Sequence, residues 1–126
     1  MAVISDSDYR SKIAGENLAS SQYMFVELVS QTNVELADAI TDKVYGVLQN
    51  APAAGEIAVI KVRGETKIVG SASLAIGIVV GPATTGKAQA AVATQFPCGI
   101  VVEAPGADGD LGVIELFKSG IAIAGS

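Results

Sequence analysis

Part of this chain is written twice, and a unit that occurs twice must fold twice. Residues 46–62 read GVLQNAPAAGEIAVIKV, and residues 99–116 read GIVVEAPGADGDLGVIEL. Each copy opens on glycine and three uncharged residues, turns at Ala-Pro (Ala51-Pro52, Ala104-Pro105) and passes a glycine-acid pair (Gly55-Glu56, Gly109-Asp110). Each closes on an apolar run containing Val-Ile (Val59-Ile60, Val113-Ile114). The offset is 53 at Gly46/Gly99 and Pro52/Pro105, then 54 at Gly55/Gly109 and Val59/Val113, so one extra residue sits in the second turn. Carried upstream, the offset of 53 lays FVELVSQTNVELA from Phe25 over IVVGPATTGKAQA from Ile78, with Asn33 over Gly86 at two hairpin tips. Two copies are too few for a solenoid. They predict one domain built from two similar β-modules, 25–62 and 78–116.

The composition says what fills those modules. Of the 126 residues 50% are hydrophobic but only 5% aromatic, with no Trp and 14 Gly. That length makes one domain, with an aliphatic core between glycine-rich turns, which suits short strands better than long helices. Thirteen acids against eight bases give a net charge of −5. That argues against nucleic acid as a partner, since a basic surface supplies most of that affinity. With no His and a single Cys, ordinary zinc sites and an intramolecular disulfide are excluded. Cys98, between Pro97 and Gly99, reads as a small buried hydrophobe. The start carries Asp6, Asp8 and Arg10 where a signal peptide needs an apolar core. The uncharged run 69–86 holds two serines, two threonines, Pro82 and several glycines, so it is not a membrane span.

In chain order, residues 1–22 form a polar segment with scattered apolar side chains and no sustained period. It reads as a flexible arm ahead of a single β-domain, 23–126. Strands are expected at 23–29, 34–37, 44–49, 57–62, 66–69, 76–80, 87–91, 98–103 and 111–117, with a last one at 121–124. Gly64-Glu65 reads as a two-residue turn. The alanine-rich stretch 88–93 is open between a strand with loop and a short helix.

One stretch imitates a nucleotide site. GPATTGKA at 81–88 has the Gly-x4-Gly-Lys spacing, from Gly81 through Gly86 to Lys87, of a phosphate-binding loop. The hydroxyl that would hold magnesium is replaced by Ala88, and the helix that must follow has no support in the repeat. Thr85-Gly86-Lys87 therefore reads as a hairpin tip. Serines 20, 21, 71 and 73 lack a histidine to activate them. Asp108-Gly-Asp110 lacks the spacing of a calcium loop and reads as a solvated turn.

AGENLASSQYMFVELV at 14–29 and YGVLQNAPAAGEIAVIKVRGETKIV at 45–69 resemble the small capsid decoration (cement, head-stabilisation) proteins of tailed bacteriophages. The likeness spans residues 14–117. It implies a mainly β fold, a β-tulip or small sandwich-like barrel with an extended N-terminal arm, and no catalytic residues, cofactor or metal. It also implies a homotrimer on the outer capsid surface of the virion, made in the host cytoplasm, with the major capsid protein as partner and no nucleic acid or membrane. Val3, Ile4, Tyr9, Ile13 and Leu18 are the expected capsid-binding anchors, apolar side chains spaced along a polar arm that a partner would order. Two other functions remain: a nucleotide-binding accessory factor using the stretch from Gly81 to Lys87, and another β-rich virion part of a tail or fibre.

Overall fold

The computed structural model describes residues 8–93 and 95–118. They form ten strands: β1 (Tyr9–Ala14), β2 (Phe25–Leu28), β3 (Asn33–Leu36), β4 (Gly46–Leu48), β5 (Ile57–Lys61), β6 (Gly64–Val69), β7 (Val79–Pro82), β8 (Ala88–Ala90), β9 (Gly99–Glu103) and β10 (Leu111–Leu116). No helix occurs among the described residues. The alanine-rich stretch thus begins as strand β8, where ladder bonds to β7 outweigh a weak helix propensity.

Strands β1 to β5 close into a barrel in the order β1-β3-β2-β4-β5, and β6 to β10 form a sheet in the order β6-β10-β9-β7-β8. The two orders are one pattern. β2 pairs with β3 and β4 as β7 pairs with β8 and β9; β5 pairs with β4 and β1 as β10 pairs with β9 and β6. The mainly β, two-module expectation holds, and Gly46 and Gly99 occupy equivalent strands.

Three expectations are corrected. Residues 9–22 are not a separate arm, because every residue from Tyr9 to Ile13 pairs with β5. Ile13 and Ala14 also pair in parallel with β3. Without β1 the barrel would have two bare edges. The upstream offset is 54, not 53: Val26↔Leu36 matches Val80↔Ala90. The connection from β3 to β4 is one residue longer than that from β8 to β9, which returns the offset to 53 at Gly46/Gly99. Finally, Gly64-Glu65 is not the turn: both residues lie in β6, paired with β10, and the chain turns just before them without making a hairpin. β5 and β6 pair with different strands, so this turn carries the chain from one unit to the next. The strand expected at 121–124 lies outside the described residues.

Each unit has its own core. The barrel encloses Ala14, Leu18, Val26, Val34, Leu48, Ala58 and Ile60. A second cluster joins Ile68, Leu74, Val80, Ala88, Val101 and Ile114 of the second unit to Phe25, Ala37, Val44 and Val47 on the outer side of the first. Two backbone bonds fasten this joint: Phe25 N donates to Gly86 O (2.9 Å) and Val69 N to Tyr23 O (2.9 Å). Gly86 lies so close to the Leu36 side chain that a Cβ there would collide with it. Both hairpin and joint thus depend on that glycine, whose φ is also positive at 83°.

Candidate functional site

The five anchors nominated from the sequence do not share one fate. Val3 and Ile4 lie outside the described residues. Tyr9 and Ile13 stand on β1, an even number of residues apart, and so on the same outward face. The Lys61 ammonium sits 4.9 Å from the centre of the Tyr9 ring and donates to its hydroxyl at 3.4 Å. Leu18 is withdrawn. It is buried in the barrel core, where its amide donates to Pro52 O, and no partner can reach it.

The phosphate-loop imitation resolves as the β7–β8 hairpin. Gly86 N closes the tip on Ala83 O, Ala83 N donates to Lys87 O, and Gly86 O receives Phe25 N. Lys87 is turned to Asp108, with Nζ 2.9 Å from Oδ1. The stretch is thus a tight hairpin tip packed on the first unit, with a strand after it where a phosphate loop needs a helix. Cys98 is buried as expected, and burial pushes its thiol up to about 12, so it stays an unreactive thiol at neutral pH.

The sequence reading missed an acidic group. Glu27 on β2 meets Asp38 and Asp42 from the β3–β4 connection, with one carboxylate oxygen of each within 4.8 Å of the others. The hydrogen bond its protonated carboxyl gives to Asp42, desolvation, and the charges of Asp42, Asp38 and Glu35 push the Glu27 carboxyl up to about 7. Glu27 therefore keeps its proton to near neutrality. The repeat held the signal that exposes them. Asp42 accepts from Ala39 N (3.0 Å) just as Gln95 accepts from Val92 N (3.0 Å) in the second unit. Gly81 is the counterpart of Glu27 there, and the Gln95 amide fills the space a side chain would take, donating to Pro82 O at 2.6 Å. One unit packs an amide where the other places the Glu27 carboxyl.

The first and last described residues are tied to the units by charged groups. Arg63 bonds Asp8 (2.6 Å) beside the β5–β6 turn. Lys118, after β10, donates to Tyr45 O (2.6 Å) and Val62 O (3.1 Å) of the first unit. Burial and the nearby Arg10 charge lower its pKa, against the opposing effect of Cys98. These contacts hold structure; they do not converge on a substrate-sized space.

Among solved structures, the chain matches the head fiber gp8.5 N base of bacteriophage phi29 with a TM-score of 0.65, covering 90% of this chain and 96% of that one at 13% identity. The two chains share a fold. No family model matches this sequence, and no curated protein does. At that identity the likeness is one of chain path over 90% of this chain, and not of side chains.

Proposed function

We propose that this chain is a structural, non-enzymatic virion protein that sits on the outer surface of a phage capsid as a homotrimer and reinforces the shell. The observation that carries the reading is the fold shared with a phage head-fibre base across nearly the whole of both chains. The chemistry agrees with it. The sequence has no histidine, its cysteine is buried, and the stretch that imitates a phosphate loop is a committed hairpin. Attachment falls to the residues ahead of β1, Val3 and Ile4, with Tyr9 at the rim of the barrel, acting on the major capsid protein. Three weak arms on one trimer would sum through effective concentration.

A second reading is a fibre base, favoured by what the matched protein is. The two readings differ in where the chain sits. Labelling the chain on purified particles by immunogold electron microscopy tests both. Decoration predicts label spread over the shell, and a fibre base predicts label at the foot of discrete projections. Absence from purified particles would overturn both.

A further inference from the structure

The joint between the two units covers one face of the first unit, and the repeat supplies a second copy of that face. Phe25, Ala37, Val44 and Val47, on the outer side of the first unit, are all buried in the shared cluster. The matching hydrogen-bond and register positions in the second unit are Val79, Ala91, Pro97 and Ile100. They are again apolar, but here the face is open, with Val79 39% exposed against 0% for Phe25. A backbone acceptor stands open beside it. Tyr23 O receives Val69 N, whereas Gly77 O, its counterpart, has no backbone partner among the described residues.

The cover of the first copy comes from further along the chain. After β5 the chain crosses at residues 62–63 into β6, where Thr66 and Ile68 are buried and Val69 N makes the bond to Tyr23 O. Residues 119–126 follow β10 as β6 follows β5, and their sequence is alike: IAIAGS at 121–126 stands 55 residues after TKIVGS at 66–71. Ile121 and Ile123 fall at the places of Thr66 and Ile68, and Ala124 at that of Val69. Isoleucine at every second position gives one strongly apolar strand face. These residues lie outside the described ones, but the point from which they set out is fixed. Phe117 N donates to Cys98 O (3.0 Å), next to Pro97 of the open face. Val69 comes seven residues after Val62, and Ala124 eight after Leu116, the counterpart of Val62, so the length suffices.

We propose that residues 119–126 fold back over the second unit of their own chain as an edge strand, with Ala124 N donating to Gly77 O and with Ile121 and Ile123 packed on Val79 and Ile100. This contact is lighter than the joint. β6 brings a whole unit with it, including the hairpin whose Gly86 O receives Phe25 N, whereas residues 119–126 bring one strand. Val79 N therefore gains no acceptor of that kind when the strand is seated. Apolar burial and a backbone bond hold it. Its seat also closes an edge otherwise open to pairing with another chain. The inference rests on the internal repeat and stands apart from the virion reading.

A nitroxide probe on Ser126→Cys in the full chain tests it by nuclear magnetic resonance, since Cys98 is buried and stays unlabelled. The probe should broaden away the amide signals of Gly77, Val79 and Ile100 and leave those of barrel strand β1 sharp. Adding Ile121→Asp and Ile123→Asp to the labelled chain should bring the lost signals back, because two unpaired charges cannot be buried on an apolar face. Both substitutions lie outside β1 to β10, and unchanged signals elsewhere check that the variant is folded. Mixing probe-bearing chains with isotope-labelled chains that carry no probe should broaden nothing. Full signals at Gly77, Val79 and Ile100 in the singly substituted chain, or losses that survive the two aspartates, would overturn the proposal. So would losses that appear in the mixed sample, because the strand would then be seated on a copy.

Discussion

The two units follow one path with different fillings, and the difference shows how little the path depends on any particular core residue. Where the barrel has Ala14, Ala58, Val34 and Leu48, the second unit has Gly70, Gly112, Ala88 and Val101, a smaller residue at every position. The lost volume is made up from loops. Pro105 lies against both Gly70 and Gly112, and Gln95 takes the space above Gly81. Closure differs in the same way. The barrel zips β1 to β3 by two register pairs, whereas the second unit has a single bridge, Gly70↔Ala88. Its remaining seam groups, Val69 N and Gly86 O, are satisfied by the first unit. The barrel is complete by itself; the second unit is completed by its neighbour.

The joint should therefore give the largest response. Phe25→Ala, which empties the centre of the shared cluster, is expected to cost about 4 kcal/mol. Chemical denaturation should show both units still melting in one transition. Two separated transitions would mean that the second unit closes without help. Next in size is Gln95→Ala. It leaves Pro82 O without its donor and a void over Gly81, for a loss of about 2 kcal/mol. Amide exchange should speed up first along β7 and β8, while the barrel amides keep their protection.

A smaller effect separates Tyr23 from Gly77, which sit at equivalent places. Tyr23 N donates to Leu48 O and Gly77 N to Val101 O, and both backbones are left-handed, with φ of 63° and 88°. Tyr23 has the Lys67 ammonium 5.7 Å from its ring centre, a contact Gly77 cannot make. A Cβ on Gly77 would meet nothing within 4 Å, so Gly77→Ala measures the backbone cost alone, about 1 kcal/mol in thermal melts. The smallest effect concerns the acids. Glu27 holds its proton up to about 7 in the folded chain against an ordinary value of 4.5, so the folded state binds more protons between those values. Its contribution is present below 4.5 and is lost as pH rises through about 7. Solvent screening holds the change to about 1 kcal/mol or less. Wild type should lose stability relative to Glu27→Gln across that window, measured as melting temperature against pH.

The paired Ala-Pro and glycine-acid turns announced β4–β5 and β9–β10 correctly, because turn chemistry is local and each turn needs its own residues. Unit membership of β1 was not legible. Its burial alternates only weakly along YRSKIA, and what holds it is pairing with β5, nearly fifty residues away in sequence. The same limit hid Leu18, an isolated apolar residue in a polar stretch whose counterpart, Leu74, is equally isolated and equally buried. The acidic group escaped because an offset wrong by one residue placed Glu27 over Val80 instead of Gly81. In a strand that slip moves a side chain to the other face.

Hydrogen exchange of two equivalent amides, Phe25 and Val79, tests most directly the claim that one unit's face is covered by the other unit and its counterpart is not. In the chain shortened to residues 1–118, Phe25 N–H, bonded to Gly86 O, should exchange only with opening of the joint. Val79 N–H should exchange orders of magnitude faster. Equal protection of the two amides in that chain would contradict the account, for it would mean that the second unit's face is covered as well.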